Sequence, residues 1–213
     1  MKILNLYACL GGNRYKWGDE HDITAVEWDK EAARLYQERF PNDKVIVADA
    51  HQYLLNHYKE FDFIWSSPPC PTHSRIMISQ YTRDNYNMKY PDMSLYQEII
   101  FLDNFFKGRY CVENVIPFYE PLIPGNKRGR HIYWTNFLLP SVLTKRKNPD
   151  LTRTPNIVDV LSIFHDYDFH KYKGKQSKAK MARNLVDYEA GKVILDTAMG
   201  ILKKQDEKQI SLL

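Results

Sequence analysis

The chain has no apolar run approaching the ~20 residues a membrane span needs, and only nine glycines among its 213 residues. Its three cysteines, Cys9, Cys70 and Cys111, show no metal-ligand spacing, and their odd number argues against a disulfide framework. They are expected to be free thiols, with no metal bound. The phosphate-cradling turn Gly-x-Gly-x-x-Gly is also missing, which removes the usual sign of a dinucleotide site. The opening residues 1–7 are too short and interrupted for a signal peptide and read as a strand. A cytoplasmic protein with no membrane partner is therefore expected.

What is present suits one globular domain, since 44% hydrophobic residues are enough to build a core. The net charge of +4 is unevenly spread. Residues 127–183 hold 13 Lys and Arg against 4 Asp and Glu, and the rest of the chain is acidic. A basic segment on an acidic chain is the footprint of a polyanion partner or simply a solvated basic face. Fifteen tyrosines are compatible with a base-stacking surface and equally with an ordinary core.

Apolar runs alternate with helical spacings. Strands are predicted over 3–7, 23–27, 44–48, 61–65, 109–112 and 131–135, with helices over 30–40, 51–58 and 94–106. This alternation indicates an α/β fold with a mostly parallel sheet and helices on both faces. Ligands of such sheets bind at the carboxyl ends of the strands, where the notable polar clusters fall. Residues 136–180 lose the periodicity apart from an apolar stretch at 157–164, and read as an irregular basic excursion. One helix is predicted over 181–202, followed by a polar tail.

Several strand ends carry chemistry. Gly11-Gly12 follows the first strand and can let backbone approach a ligand. Glu27 closes the second, where a carboxylate can accept both ribose hydroxyls, with Trp28 beside it to stack on a purine. Asp49 closes the third, where it can accept from an adenine amino group. An adenosine without a phosphate tail, such as S-adenosylmethionine, fits this set better than NAD or ATP. Ser66-Ser67-Pro68-Pro69-Cys70 leaves the fourth strand, and two prolines hold the backbone so that Cys70 is presented at the sheet edge. A thiol attacks as thiolate, so nearby donors or positive charge are expected to lower its pKa. Glu113-Asn114-Val115 follows the fifth strand and offers an acid for the N3 and N4 edge of a cytosine. Arg128 and Arg130 offer a guanidinium for a base carbonyl, or surface salt bridges.

Together these motifs resemble the C5-cytosine-specific DNA methyltransferase family. The segment containing Tyr7, Ala8, Cys9, Leu10, Gly11 and Gly12 looks like the family's cofactor loop, Glu27-Trp28 and Asp49-Ala50 like its ribose and adenine contacts. Ser67-Pro68-Pro69-Cys70, with Ser74 four residues on, looks like the nucleophile loop. Residues 95–106, Glu113-Asn114-Val115, Lys127-Arg128-Gly129-Arg130 and Arg183-Asn184-Leu185-Val186 match later motifs in order. Cys9 stands where the loop's first glycine is usual, Pro71 where a glutamine follows the nucleophile, and Arg183 where a glycine stands.

The resemblance implies a Rossmann-like S-adenosylmethionine-dependent fold, with catalytic residues Cys70, Glu113, Arg130 and Arg128. Ser67 and Pro68 would lie against the cofactor, and Pro69, Ser74, Asn114 and Val115 against the substrate base. It divides the chain into a catalytic part, 1–135 and 181–203, a short target-recognition insertion, 136–180, and the tail, 204–213. Lys145, Arg146 and Lys147 would hold DNA. So short an insertion resembles compact enzymes of phage or prophage type and leaves room for a specificity partner or a homodimer. Other readings are an amino-group (N4) DNA methyltransferase, a cytosine methyltransferase acting on RNA or a free nucleotide, and an inactive DNA-binding homologue.

Overall fold

The computed structural model describes residues 1–75, 89–147, 149–150 and 154–201. Seven strands form one sheet: β1 (Lys2–Leu6), β2 (Asp22–Val26), β3 (Lys44–Ile46), β4 (Phe63–Ser66), β5 (Arg109–Val115), β6 (Asn126–Arg128) and β7 (His131–Thr135). Their order is β3-β2-β1-β4-β5-β7-β6. The first five pair parallel, and β7 runs antiparallel to both β5 and β6. The strand order reverses between β1 and β4, which opens a crevice at their carboxyl ends.

Side chains alternate across this sheet, as a strand requires. Leu4, Leu6, Ile64 and Val112 pack on one face with α2 (Ala50–His57) and α3 (Ser94–Phe105). Ile3, Phe63, Trp65 and Cys111 pack on the other with Ile194 and Leu195 of α6 (Tyr188–Ala198). α1 (Lys30–Arg39) starts where Asp29 accepts hydrogen bonds from the Glu31 and Ala32 amides, and buries Tyr36 and Leu35. This is the mostly parallel, helix-flanked fold expected. No helix among the described residues is long and apolar enough to cross a membrane.

Several elements differ from the sequence reading. β5 continues to Val115, because Glu113, Asn114 and Val115 pair with Tyr133, Ile132 and His131 of β7. The irregular excursion contains α4 (Ile157–His165) and α5 (Lys178–Arg183). The single helix expected from 181 onward is two, because Ser177 caps α5 and Asp187 caps α6, leaving 184–187 as the bend between them. The predicted tail over 204–213, like residues 202 and 203, lies outside the described residues.

The excursion is fastened to the core. Tyr172 Oη donates to Asp29 Oδ2 at 2.6 Å, and Gln176 Nε2 donates to the same oxygen at 3.1 Å. Arg146 Nη1 meets Asp187 Oδ1 at 2.7 Å, and its guanidinium lies over the rings of Phe164 and Tyr188, 3.8 and 4.1 Å from their centroids. These contacts fold the lysine-rich stretch back over the end of the sheet.

Candidate active site

Cys70 is presented by a chain segment fixed on both sides. Before it, Trp65 Nε1 donates to Ser67 Oγ at 2.8 Å, and the buried Asn114 Nδ2 donates to Pro68 O at 3.0 Å. Asn114 also accepts, through Oδ1, from the Val115 amide at 2.9 Å. It is therefore a staple between β5 and the proline turn. After Cys70, its carbonyl accepts from the His73 and Ser74 amides, both at 3.0 Å, closing a tight turn. Ser74 then bridges to Pro117, and His73 Nδ1 lies 2.6 Å from Tyr119 Oη.

Cys70 and Glu113 line one cavity of about 210 Å³, together with Pro68, Pro69, Asn114 and Val115. Glu113 is buried, 6% exposed, and its Oε1 lies 3.6 Å from His131 Nε2. Contrary to expectation, the thiol is not activated in this state. Burial pushes the Cys70 pKa up to about 11, the Glu113 charge adds to the rise, and Lys180 opposes it. The neighbours expected to lower it are outweighed chiefly by burial of the sulfur, with Glu113 adding to the rise.

The same cavity reaches the cofactor side through Tyr7, Cys9, Glu27, Trp28, Ser67 and Pro68. Glu27 is oriented by two amides: Cys9 donates to Oε2 and Asp29 to Oε1, each at 2.8 Å. Burial raises its pKa, while those amides pull it down. Trp28 stands 65% exposed beside it, an indole face free to stack. A buried, fixed carboxylate next to an open indole fits the ribose and purine of an adenosine. The residues present fit S-adenosylmethionine.

Other expected cofactor residues lie behind this cavity. Ala8, Leu10 and Ala50 are buried in the core. Asp49 caps α2, accepting from the Gln52 amide at 2.8 Å. The two glycines are both closely packed. A Cβ on Gly11 would meet the Phe40 ring at 2.4 Å, and one on Gly12 would meet Val186 O at 2.5 Å. Cys9, standing where glycine is usual, takes a left-handed φ of 49°, and Tyr7 takes 56°. Such a conformation costs a non-glycine residue on the order of 1–3 kcal/mol, so the loop carries strain next to the cofactor side.

The arginines are placed differently from the expectation that one faces the base. Arg128 Nε donates to Pro140 O at 2.7 Å, and Nη1 to Lys127 O at 2.9 Å. Its donors hold the excursion. Gly129, with φ 59°, turns the chain so that Arg130 lines an adjoining cavity of about 290 Å³. Arg146 is likewise drawn inward, whereas Lys145 and Lys147 are exposed.

Several residues were not foreseen. Lys180, Gln176, Arg183 and His131 line the Cys70 cavity, three of them from the excursion and α5, where sequence offered no spacing to follow. Glu98, wholly buried on α3, accepts from Tyr7 Oη at 2.5 Å and Ser66 Oγ at 2.6 Å, with His51 Nδ1 at 2.9 Å. It ties Tyr7, the end of β4 and α2 together. A lone Glu at a buried helical position was its only signal.

Solved structures similar to this chain include DNMT2 of Spodoptera frugiperda, a triple mutant, at 23% identity, covering 73% of this chain and 55% of that one, TM-score 0.41. The Entamoeba histolytica methyltransferase EhMeth matches at 12% identity over 76% of this chain and 64% of its own, TM-score 0.42. A TehB-like SAM-dependent methyltransferase from Corynebacterium glutamicum matches at 17% identity over 54% of each chain, TM-score 0.33. The comparison with curated proteins gives no match. The model of the C-5 cytosine-specific DNA methylase family matches residues 1–106, from β1 through the nucleophile turn and α3. The chain belongs to that family of cytosine methyltransferases, whose methyl donor is S-adenosylmethionine.

Proposed function

We propose that the protein methylates C5 of cytosine in DNA through a covalent adduct between Cys70 Sγ and C6. The observation that carries this reading is the shared cavity: sulfur, buried acid and cofactor-side carboxylate line one space of about 210 Å³. C5 and C6 of a stacked base are out of reach, so the target base is extruded from the helix into that cavity.

Cys70 Sγ forms a bond to C6, the C5=C6 electron pair moves through the ring toward N3, and N3 takes a proton from Glu113. S-adenosylmethionine, when bound, supplies the methyl group that the electron-rich C5 takes up. A base then removes the C5 proton, the C5=C6 bond re-forms, the sulfur leaves with its bonding pair, and N3 returns its proton to Glu113. A proton on Glu113 serves two ends here. It polarises the base, and it removes the negative charge that holds the Cys70 pKa up. Thiolate formation and acid catalysis thus favour each other, with Lys180 assisting the thiolate. Glu27 and Trp28 would hold the cofactor's adenosine. The excursion over 136–180, with its exposed lysines, would hold DNA phosphates and give binding a strong salt dependence. Its shortness fits a compact, phage-type enzyme.

The test is transfer of labelled methyl to duplex DNA, single-stranded DNA, tRNA and dCMP, with bisulfite sequencing of the DNA product. Bisulfite-resistant cytosine in duplex DNA, lost in Cys70→Ala while cofactor binding persists, is the expected result. Normal turnover by Cys70→Ala, or label confined to tRNA or dCMP, would overturn it.

A further inference from the structure

Beside the catalytic cavity lies the second one of about 290 Å³, walled by the β6–β7 turn, α4, and the bend before α6. The two share His131, Arg183 and Leu185. Two buried atoms and one exposed guanidinium of this cavity have no partner among the described residues. Asp187 is 8% exposed; its Oδ1 takes Arg146 and the Glu189 amide, but its buried Oδ2 takes none. His165 is 3% exposed and its Nδ1 is also unsatisfied. Burial lowers the His165 pKa to about 3, so the ring is neutral at ordinary pH. Arg130, an exposed residue, lines the same cavity with no side-chain partner among the described residues. Native proteins rarely leave buried polar atoms unpaired, and each such atom calls for a ligand or an explanation.

The pattern selects among ligands. A phosphate would satisfy Arg130 but would bring no N–H donor to the buried Asp187 Oδ2. What fits is a flat group with N–H donors on one edge and acceptors on another. Every nucleobase has an acceptor for Arg130, but guanine alone carries two adjacent donors, N1–H and the N2 amino group, for Asp187 Oδ2 and the His165 nitrogen. Its O6 and N7 are the usual bidentate target of arginine. We infer that this cavity is a second nucleobase site, which takes a guanine neighbouring the target cytosine while that cytosine occupies the Cys70 cavity. The inference rests on the DNA-methylating reading above and adds the means of target choice: an enzyme with a short recognition segment reads a neighbour in a built pocket beside the active one.

The test uses the wild-type protein. Bisulfite sequencing of duplex DNA randomised around cytosines is expected to show a required guanine next to the methylated base. Replacing that guanine by inosine, which lacks the N2 amino group, should lower kcat/KM by about 5–100-fold, as expected for a lost base contact. Replacing it by 7-deazaguanine, which lacks N7, should also lower it. Asp187→Asn keeps a competent helix cap but turns the free acceptor into a donor, and should relax the preference for guanine. Methylation without a guanine preference, or rates on the inosine and 7-deazaguanine substrates equal to the rate on guanine, would overturn the inference and leave the methyltransferase reading intact. No methylation of any DNA would overturn both.

Discussion

The carboxyl edge of the sheet and the basic excursion treat their polar side chains differently. At the edge, each functional group is held by backbone: Asn114 by the Pro68 carbonyl, Glu27 by the amides of Cys9 and Asp29. In the excursion and the β6–β7 turn, positive charge divides. Arg128 and Arg146 are spent on internal carbonyls and on Asp187, while Lys145, Lys147, Lys171, Lys173 and Lys175 stand exposed. Charge written in a sequence is thus not the charge offered to a partner. Arginine, with a planar fork and weak hydration, is the residue drawn inward, and lysine remains outside.

The sharpest contrast should come from the edge. Glu113→Gln removes the acid and is expected to slow methyl transfer by ~10²-fold or more. The same change removes the charge that raises the Cys70 pKa, so the thiolate fraction increases at any pH below about 11. Iodoacetamide should then alkylate Cys70 faster at pH 8 than in the wild type. An unchanged methylation rate, or slower alkylation, would count against the coupling. In the excursion, Arg146→Ala leaves Asp187 without its cation and strips contact from Phe164 and Tyr188. A loss of about 2 kcal/mol in urea unfolding is expected; a loss below ~0.5 kcal/mol would mean Arg146 is not an internal clamp.

Asn114→Ala leaves the Pro68 carbonyl unbonded in the interior and should cost about 1–2 kcal/mol, with methyl transfer falling as the nucleophile turn loosens. Lys145→Ala and Lys147→Ala should leave stability within ~0.5 kcal/mol and reduce the slope of log binding constant against log salt by about 1 each. Equal effects of Arg146 and its two lysine neighbours on stability would erase the contrast. The smallest change is expected for Lys180→Ala, which removes a cation opposing Glu113 and should slow Cys70 alkylation a few-fold at pH 8.

The sheet edge was more legible than the excursion for physical reasons. Short, nearly continuous apolar runs mark strands whose faces are both buried, so β1, β2, β4 and β7 were visible with ends within two residues. Asn126–Arg128 is polar throughout and sits at the sheet's margin, where pairing to β7 alone makes it a strand. Glu113–Val115 extends β5 because a neighbour supplies partners that local propensity does not announce. Motif residues at strand ends could be found since the fold dictates where ligands bind. Lys180 and Gln176 could not, because they reach the Cys70 cavity through the Tyr172–Asp29 fastening, a contact between residues 143 positions apart. The direction of Arg130 depended on one left-handed glycine beside it.

The central claim is that Cys70 bonds to the base. Incubation of the protein with S-adenosylmethionine and duplex DNA carrying 5-fluorocytosine blocks release, since fluorine cannot leave as the C5 proton does. A denaturation-resistant protein–DNA adduct should form, with mass spectrometry placing the nucleotide on the peptide that contains Cys70. An adduct on another residue, or none under conditions where ordinary cytosine is methylated, would contradict the account.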